Sequence, residues 1–188
     1  MTEIQLVTHL MIPLEEPMTP TIVIHGPVTC LSVTGMGEPG GSEHTAAIRA
    51  LYAVADTLGA DVGPLEGQWW VEDERPGLQV PREQWRWHLL LSLSSVPRQE
   101  GALERAREQS RTSGAAVDRV RLATVTEGRC VELLHEGPFS EEHLSLKVME
   151  EFMAESGLIA NGLHHEIYLS ALDDPAPRTL LRQPVRPA

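Results

Sequence analysis

The chain has 188 residues, 41% of them hydrophobic, which is material for a packed core and excludes a disordered chain. Lys and Arg number 15 against 27 Asp and Glu, a net charge of −12. That balance speaks against direct nucleic-acid binding, which needs a basic patch, and against an anionic membrane surface. The two cysteines, Cys30 and Cys130, sit in apolar runs and read as buried free thiols. No apolar run approaches the roughly 18 residues of a membrane span. Met1-Thr2-Glu3 begins no basic segment followed by an apolar one. The expectation is a soluble cytoplasmic protein, monomer or homodimer.

Residues 1–20 carry Pro13, Pro17 and Pro20 and read as an arm with one short element at Ile4–Met11; the single domain is 21–188, with halves of about 21–95 and 115–185. Thr21–Val33 reads as a strand bent near Gly26-Pro27, followed by a glycine-rich turn from Gly35 to Gly41. Ser42 is the expected N-cap of a helix with Ile48, Leu51, Tyr52, Ala55 and Leu58 on its apolar stripe and Gly59 at its end. Leu65–Val71 and Trp85–Leu93 read as strands, and the odd positions of the second make one apolar face. Gln99–Ser113, rich in Glu and Arg, predicts an exposed helix connecting the halves. Val117–Val125 and Arg129–Leu134 read as a hairpin around Thr126-Glu127-Gly128. Ser140 is the expected cap of a helix with Glu141 and Glu142 in its first turn and Leu146, Met149, Phe152 and Met153 buried, closed by Gly157. Residues 163–170 and Thr179–Val185 predict the last strands.

The strand His164-His165-Glu166-Ile167-Tyr168-Leu169-Ser170 carries the chemistry. Period-2 alternation puts His164, Glu166, Tyr168 and Ser170 on one face and Ile167 and Leu169 on the other, toward a core. A carboxylate and a phenol therefore point together. The alternative is an ordinary solvent-facing polar side. All four Trp fall between positions 69 and 87, either lining a site for a flat ligand or packing a sheet edge.

The two halves repeat in layout. Ser42 and Ser140, Gly59 and Gly157, and Leu65 and Leu163 each differ by 98, which suggests a duplicated strand–helix–strand–strand unit. At that offset Gln68 and Trp70 match Glu166 and Tyr168, and the two strand faces are expected to converge on one groove. The fold class that follows is α+β, with a mostly antiparallel curved sheet, helices on one side, pseudo-twofold symmetry and a central ligand cleft.

Five segments occur in order: Gly35-x-Gly37, Pro64-Leu65-Glu66-Gly67-x-Trp69-Trp70, Leu134-His135-x-Gly137-Pro138, His164-His165-Glu166-Ile167-Tyr168-Leu169-Ser170 and Leu181-Arg182-Gln183-Pro184-Val185. Together they resemble the GyrI-like small-molecule-binding family over about residues 20–185, and its stand-alone branch of cyclopropanoid cyclopropyl hydrolases. The resemblance implies tandem modules around a ligand cleft. It also implies water-driven opening of the cyclopropane in genotoxic natural products of the duocarmycin, yatakemycin and CC-1065 type, serving self-resistance or detoxification, with no cofactor. Members that regulate transcription carry a helix-turn-helix domain, for which residues 1–20 are too short. Gln68, Phe139 and Glu136 depart from the family pattern, and Phe139 lacks the hydroxyl of the Tyr often found there.

Opening a spiro-cyclopropane on a cyclohexadienone needs a base to activate water and a donor for charge developing on the ketone oxygen. Glu166 is the expected base, its carboxyl lifted by an apolar pocket, and Tyr168 the expected donor; a structural carboxylate and a core Tyr are the alternatives. Trp69 or Trp70 is expected to stack on the flat, apolar ligand, with face matching favouring Trp70; Gln68, His135, Phe139 and Trp87 complete the binding set. Glu66 reads as a second acid or, preferably, an ion-pair partner of Arg182. His164, Glu166 and His135 are metal-ligand types, but no metal is expected. Two other functions compete: non-catalytic sequestration of the drug, and inhibition of DNA gyrase by an acidic surface.

Overall fold

A computed structural model describes residues 19–75, 77–95, 100–111, 116–171 and 173–188, so the expected element at Ile4–Met11 lies outside the described residues. These carry nine strands and three α-helices: β1 Thr21–His25, β2 Val28–Met36, α1 Ser42–Leu58, β3 Val62–Trp70, β4 Arg86–Leu93, α2 Ala102–Ser110, β5 Arg121–Val125, β6 Gly128–Glu136, α3 Glu142–Glu155, β7 Leu158–Ala160, β8 His164–Tyr168 and β9 Arg178–Pro187. The class is α+β, and the strand pairs within each unit are antiparallel. None of the helices described is long and apolar enough to cross a membrane.

The chain divides into two compact units, Val28–Val125 and, of the described residues, 19–27 with 126–188. The first has strand order β5-β2-β4-β3. The second has order β1-β6-β9-β8, with β7 on β9. Each is thus a strand–helix–strand–strand module plus one strand on the outer edge of its first strand. The predicted hairpin is replaced by a crossover. β5 pairs with β2, and β6 pairs with β1, because the chain changes unit at Gly26-Pro27 and again at Thr126-Glu127. Pro27 supplies no amide hydrogen at the first crossing, which suits a strand that ends there.

Register corrects the repeat. In the first unit Gly35, Trp87 and Trp69 lie side by side across β2, β4 and β3. In the second, His135, Thr179 and Tyr168 do so across β6, β9 and β8. Tyr168 therefore corresponds to Trp69, and Glu166 to Gly67, in place of Trp70 and Gln68. The offset of 98 holds at the helix-closing Gly59 and Gly157 and fails at the strand, because the path from Gly157 to Tyr168 is one residue longer than that from Gly59 to Trp69. The turns leading into the helices do match. Gly37 and Gly137 have φ of 134° and 137°, and their amides bond Trp85 O and Pro177 O.

Helix ends also differ from expectation. Gly41 caps α1 and Glu141 caps α3, neither with a side-chain bond, and Ser42 is already helical while Ser140 lies in a short 3-10 turn. Gly59, left-handed at φ 60°, closes α1 as expected. The buried stripe of α1 runs through His44, Ala47, Ala50, Leu51, Val54 and Ala55, leaving Tyr52 44% exposed. Small residues at these spacings let the helix sit close on Leu31, Val33, Leu89 and Leu91, all fully buried. β3 begins earlier than expected, and its register slips between Val62 and Leu65, where Pro64 removes a ladder donor. In the second unit Met149 of α3 packs on Val131, Leu133, Leu158, Leu181 and Val185, with Leu146, Phe152 and Met153 around it. Cys30 and Cys130 are buried and form no disulfide with each other, and burial pushes the Cys130 thiol up to about 12.

A candidate acid–phenol site on β8

β8 pairs with β9 so that Glu166 faces Leu181 and Tyr168 faces Thr179. The alternation expected from sequence holds. Tyr168 donates its hydroxyl proton to Glu166 Oε2 at 2.7 Å, an i, i+2 contact along one strand face. That face turns toward the start of α3. Glu142, the first residue of α3, and His164 come into the same cluster: His164 Nε2 lies 3.6 Å from Glu166 Oε1 and 3.9 Å from Glu142 Oε1. Phe139, in the turn before α3, meets Tyr168 edge-on at 6.1 Å and is 40% exposed. By its position Glu142 reads only as an acid in the first turn of a helix; the fold alone brings it to Glu166.

The electrostatics follow from the crowding. Glu166 has a side chain only 14% exposed. Burial, and then the neighbouring Glu142 carboxylate, push it up to about 7, against the opposing pull of His164 and the Tyr168 hydrogen bond. Near neutral pH such a carboxyl exchanges a proton readily, which suits general-base work.

The other expected site residues fall into two groups. His135 is buried and bonded to the turn and the helix that follow it: Ser145 Oγ of α3 is 2.9 Å from Nδ1, and Nε2 donates to Pro138 O at 3.2 Å. Its role in this geometry is to tie β6 to α3. Trp87 is fully buried, its ring over Gly35 and edge-on to His44. It belongs to the core and presents no surface to a ligand. Trp69 stacks on His44 at 5.5 Å and meets Trp85 at 6.2 Å. Gln68 is buried, with its Oε1 accepting from His88 Nδ1 at 3.3 Å. Trp70 is half-buried and lies opposite Arg86.

The far face of β8 holds an ionic network that the sequence did not disclose. His165 Nδ1 donates to Glu127 at 2.9 Å, Arg182 bonds both Glu127 and Glu132, and His25 donates to Glu132 at 2.8 Å. Arg182 is thus held by two acids, Glu127 and Glu132. Burial would raise Glu127, but His165 and Arg182 outweigh it and bring the carboxyl down to about 2. The network joins the Glu127 crossover, β1, β6, β8 and β9, and so fixes the strand that carries Glu166.

A Listeria innocua protein described as uncharacterized and conserved is 34% identical, over 90% of this chain and 93% of its own, with a TM-score of 0.79. A second, named a hydrolase from Listeria innocua, is 32% identical over 92% and 94%, with a TM-score of 0.76. The chain belongs to the family of these Listeria proteins. The C-terminal domain of EcmrR shares the fold at a TM-score of 0.64 with 11% identity, over 90% of this chain and 98% of that domain. The fold of the family is GyrI-like. No protein-family model and no curated protein matches the chain.

Proposed function

We propose that this protein is a hydrolase that opens the cyclopropane ring of spiro-cyclopropyl alkylators of the duocarmycin, yatakemycin and CC-1065 type with water, and so protects a cell from them. The single observation that carries the reading is the Glu166–Tyr168 pair, a shielded carboxyl held near neutrality by burial and bonded at 2.7 Å to a phenol. The Listeria relatives named hydrolases and the five sequence segments support it.

In this reading Glu166 takes a proton from water. The water oxygen bonds to the cyclopropane methylene as its bond to the spiro carbon breaks. The electron pair passes through the dienone to the ketone oxygen, which becomes a phenolate and is then protonated. Tyr168 spends its one proton on Glu166 Oε2, so it first acts by aiming the carboxylate; donation to the ketone requires that bond to switch. Phe139, edge-on to Tyr168 and 40% exposed, offers its ring to the flat ligand. Trp87, Gln68 and His135 serve by packing and hydrogen bonding.

Incubating the protein with one such alkylator and weighing the product tests this. Hydrolysis yields a species one water heavier, and return of intact drug from a tight complex marks sequestration and refutes the enzyme.

A further inference from the structure

Two polar atoms beside Glu166 are buried without a hydrogen-bond partner: Glu142 Oε1 and His164 Nε2. Their separation of 3.9 Å, and the 3.6 Å from His164 Nε2 to Glu166 Oε1, are too long for direct hydrogen bonds. One ligand atom from each of Glu142, His164 and Glu166 lies within 4.8 Å of the others. Buried polar atoms without partners are costly, and gaps of this length are the ones a water bridges. A single water oxygen reaches three atoms so spaced at about 2.8 Å from each.

We propose that Glu142 and His164 join Glu166 as a three-point seat for the attacking water, which rests on the hydrolase reading above. The water's hydrogens go to Glu142 Oε1 and Glu166 Oε1, and one lone pair accepts from His164 Nε2–H. Only the second lone pair is left, and it is the one that forms the bond to the ring carbon. The proton donated to Glu166 is the one lost as that bond forms; Glu142 keeps its hydrogen bond to the new hydroxyl and exchanges no proton. Tyr168, fixed on Glu166 Oε2, leaves Oε1 to the water. A dry pair of carboxylates this close is unfavourable, and the shared water with the imidazole N–H relieves it. Of the polar groups facing Glu166, Glu142 comes from α3, and His164 and Tyr168 from its own strand. β9 places Leu181 opposite it, while Arg182 and His165 lie on the other face.

The test joins a high-resolution crystal structure of the full chain with steady-state hydrolysis of a duocarmycin-type alkylator by the wild type and by Glu142→Ala, Glu142→Gln, His164→Leu and His164→Asn. The expected density is a water within hydrogen-bond reach of all three atoms. The expected kinetics are kcat reduced roughly 10- to 100-fold by Glu142→Ala and His164→Leu with KM within about twofold, and partial recovery in Glu142→Gln and His164→Asn, which keep an acceptor and a donor. Removing the Glu142 charge also moves the acid limb of the kcat/KM profile to lower pH. Anomalous density for a metal ion at that point, an empty seat, or unchanged kcat in folded variants overturns the proposal. An inactive wild type refutes the hydrolase reading itself and the seat's role with it, a result distinct from active variants.

Discussion

Glu127→Gln removes one charge from a buried ionic network while keeping the side chain's shape. Glu127 is 6% exposed and takes one hydrogen bond from His165 and another from Arg182, each at 2.9 Å. Its carboxyl is held at about 2 against the ordinary 4.5. At about 1.4 kcal/mol per pH unit, that difference contributes about 3 kcal/mol of stability at pH 7. A depressed carboxyl stabilises fully above its unfolded value, and the contribution is lost as pH falls from about 4.5 toward 2. Breaking a buried pair by removing one partner costs about 3–5 kcal/mol, which agrees. The variant should therefore lose about 3 kcal/mol at pH 7, and its Tm should fall by roughly 6–12 °C. At pH 3 the gap should shrink to about 1–2 kcal/mol. Urea unfolding of both proteins at the two pH values measures this. A difference below about 0.5 kcal/mol at pH 7, or one that does not change with pH, refutes the network's role.

Gly35→Ala places a Cβ 2.2 Å from the Trp87 ring, which is fully buried and has nowhere to go, so it should cost about 1–3 kcal/mol or more in thermal or urea unfolding. Glu166→Gln should do the reverse for stability at pH 8. A carboxyl raised to about 7 contributes stability below its unfolded value and loses it as pH rises through 7, so the amide should stabilise by on the order of 1–3 kcal/mol there while slowing turnover. In the wild type, kcat/KM should climb with pH and level off above about 7, as the base ionises. Trp69→Ala, which strips the ring partner of His44 and Trp85, should lower the Tm, readable by scanning calorimetry.

Much of the architecture was legible in the sequence because periodicity is local. The β8 face, the α3 stripe and the left-handed glycines are each written within a dozen residues. Strand partnership is not local. Val117–Val125 and Arg129–Leu134 read as a hairpin because their turn is hairpin-like, yet a change of unit at Glu127 sends them to different neighbours. Equal spacing also misled. Matching glycines at 98 paired Tyr168 with Trp70, whereas cross-strand register pairs it with Trp69, since loop and helix lengths drift independently of the strands. Glu166 and Tyr168 were found because two residues on one strand share a face by covalent geometry alone. Glu142 and the Glu127–Arg182–Glu132 network were not found, because their contacts span from 22 to 55 positions and only folding brings them together.

Single-turnover reaction of a duocarmycin-type alkylator with excess wild-type protein and with Glu166→Gln, followed by mass, is the most direct trial. The prediction is rapid gain of one water with the wild type, and a rate slower by roughly a hundredfold or more with a variant that still binds the drug. Equal rates in the two, or unaltered drug in both, would contradict the assignment of Glu166 as the base.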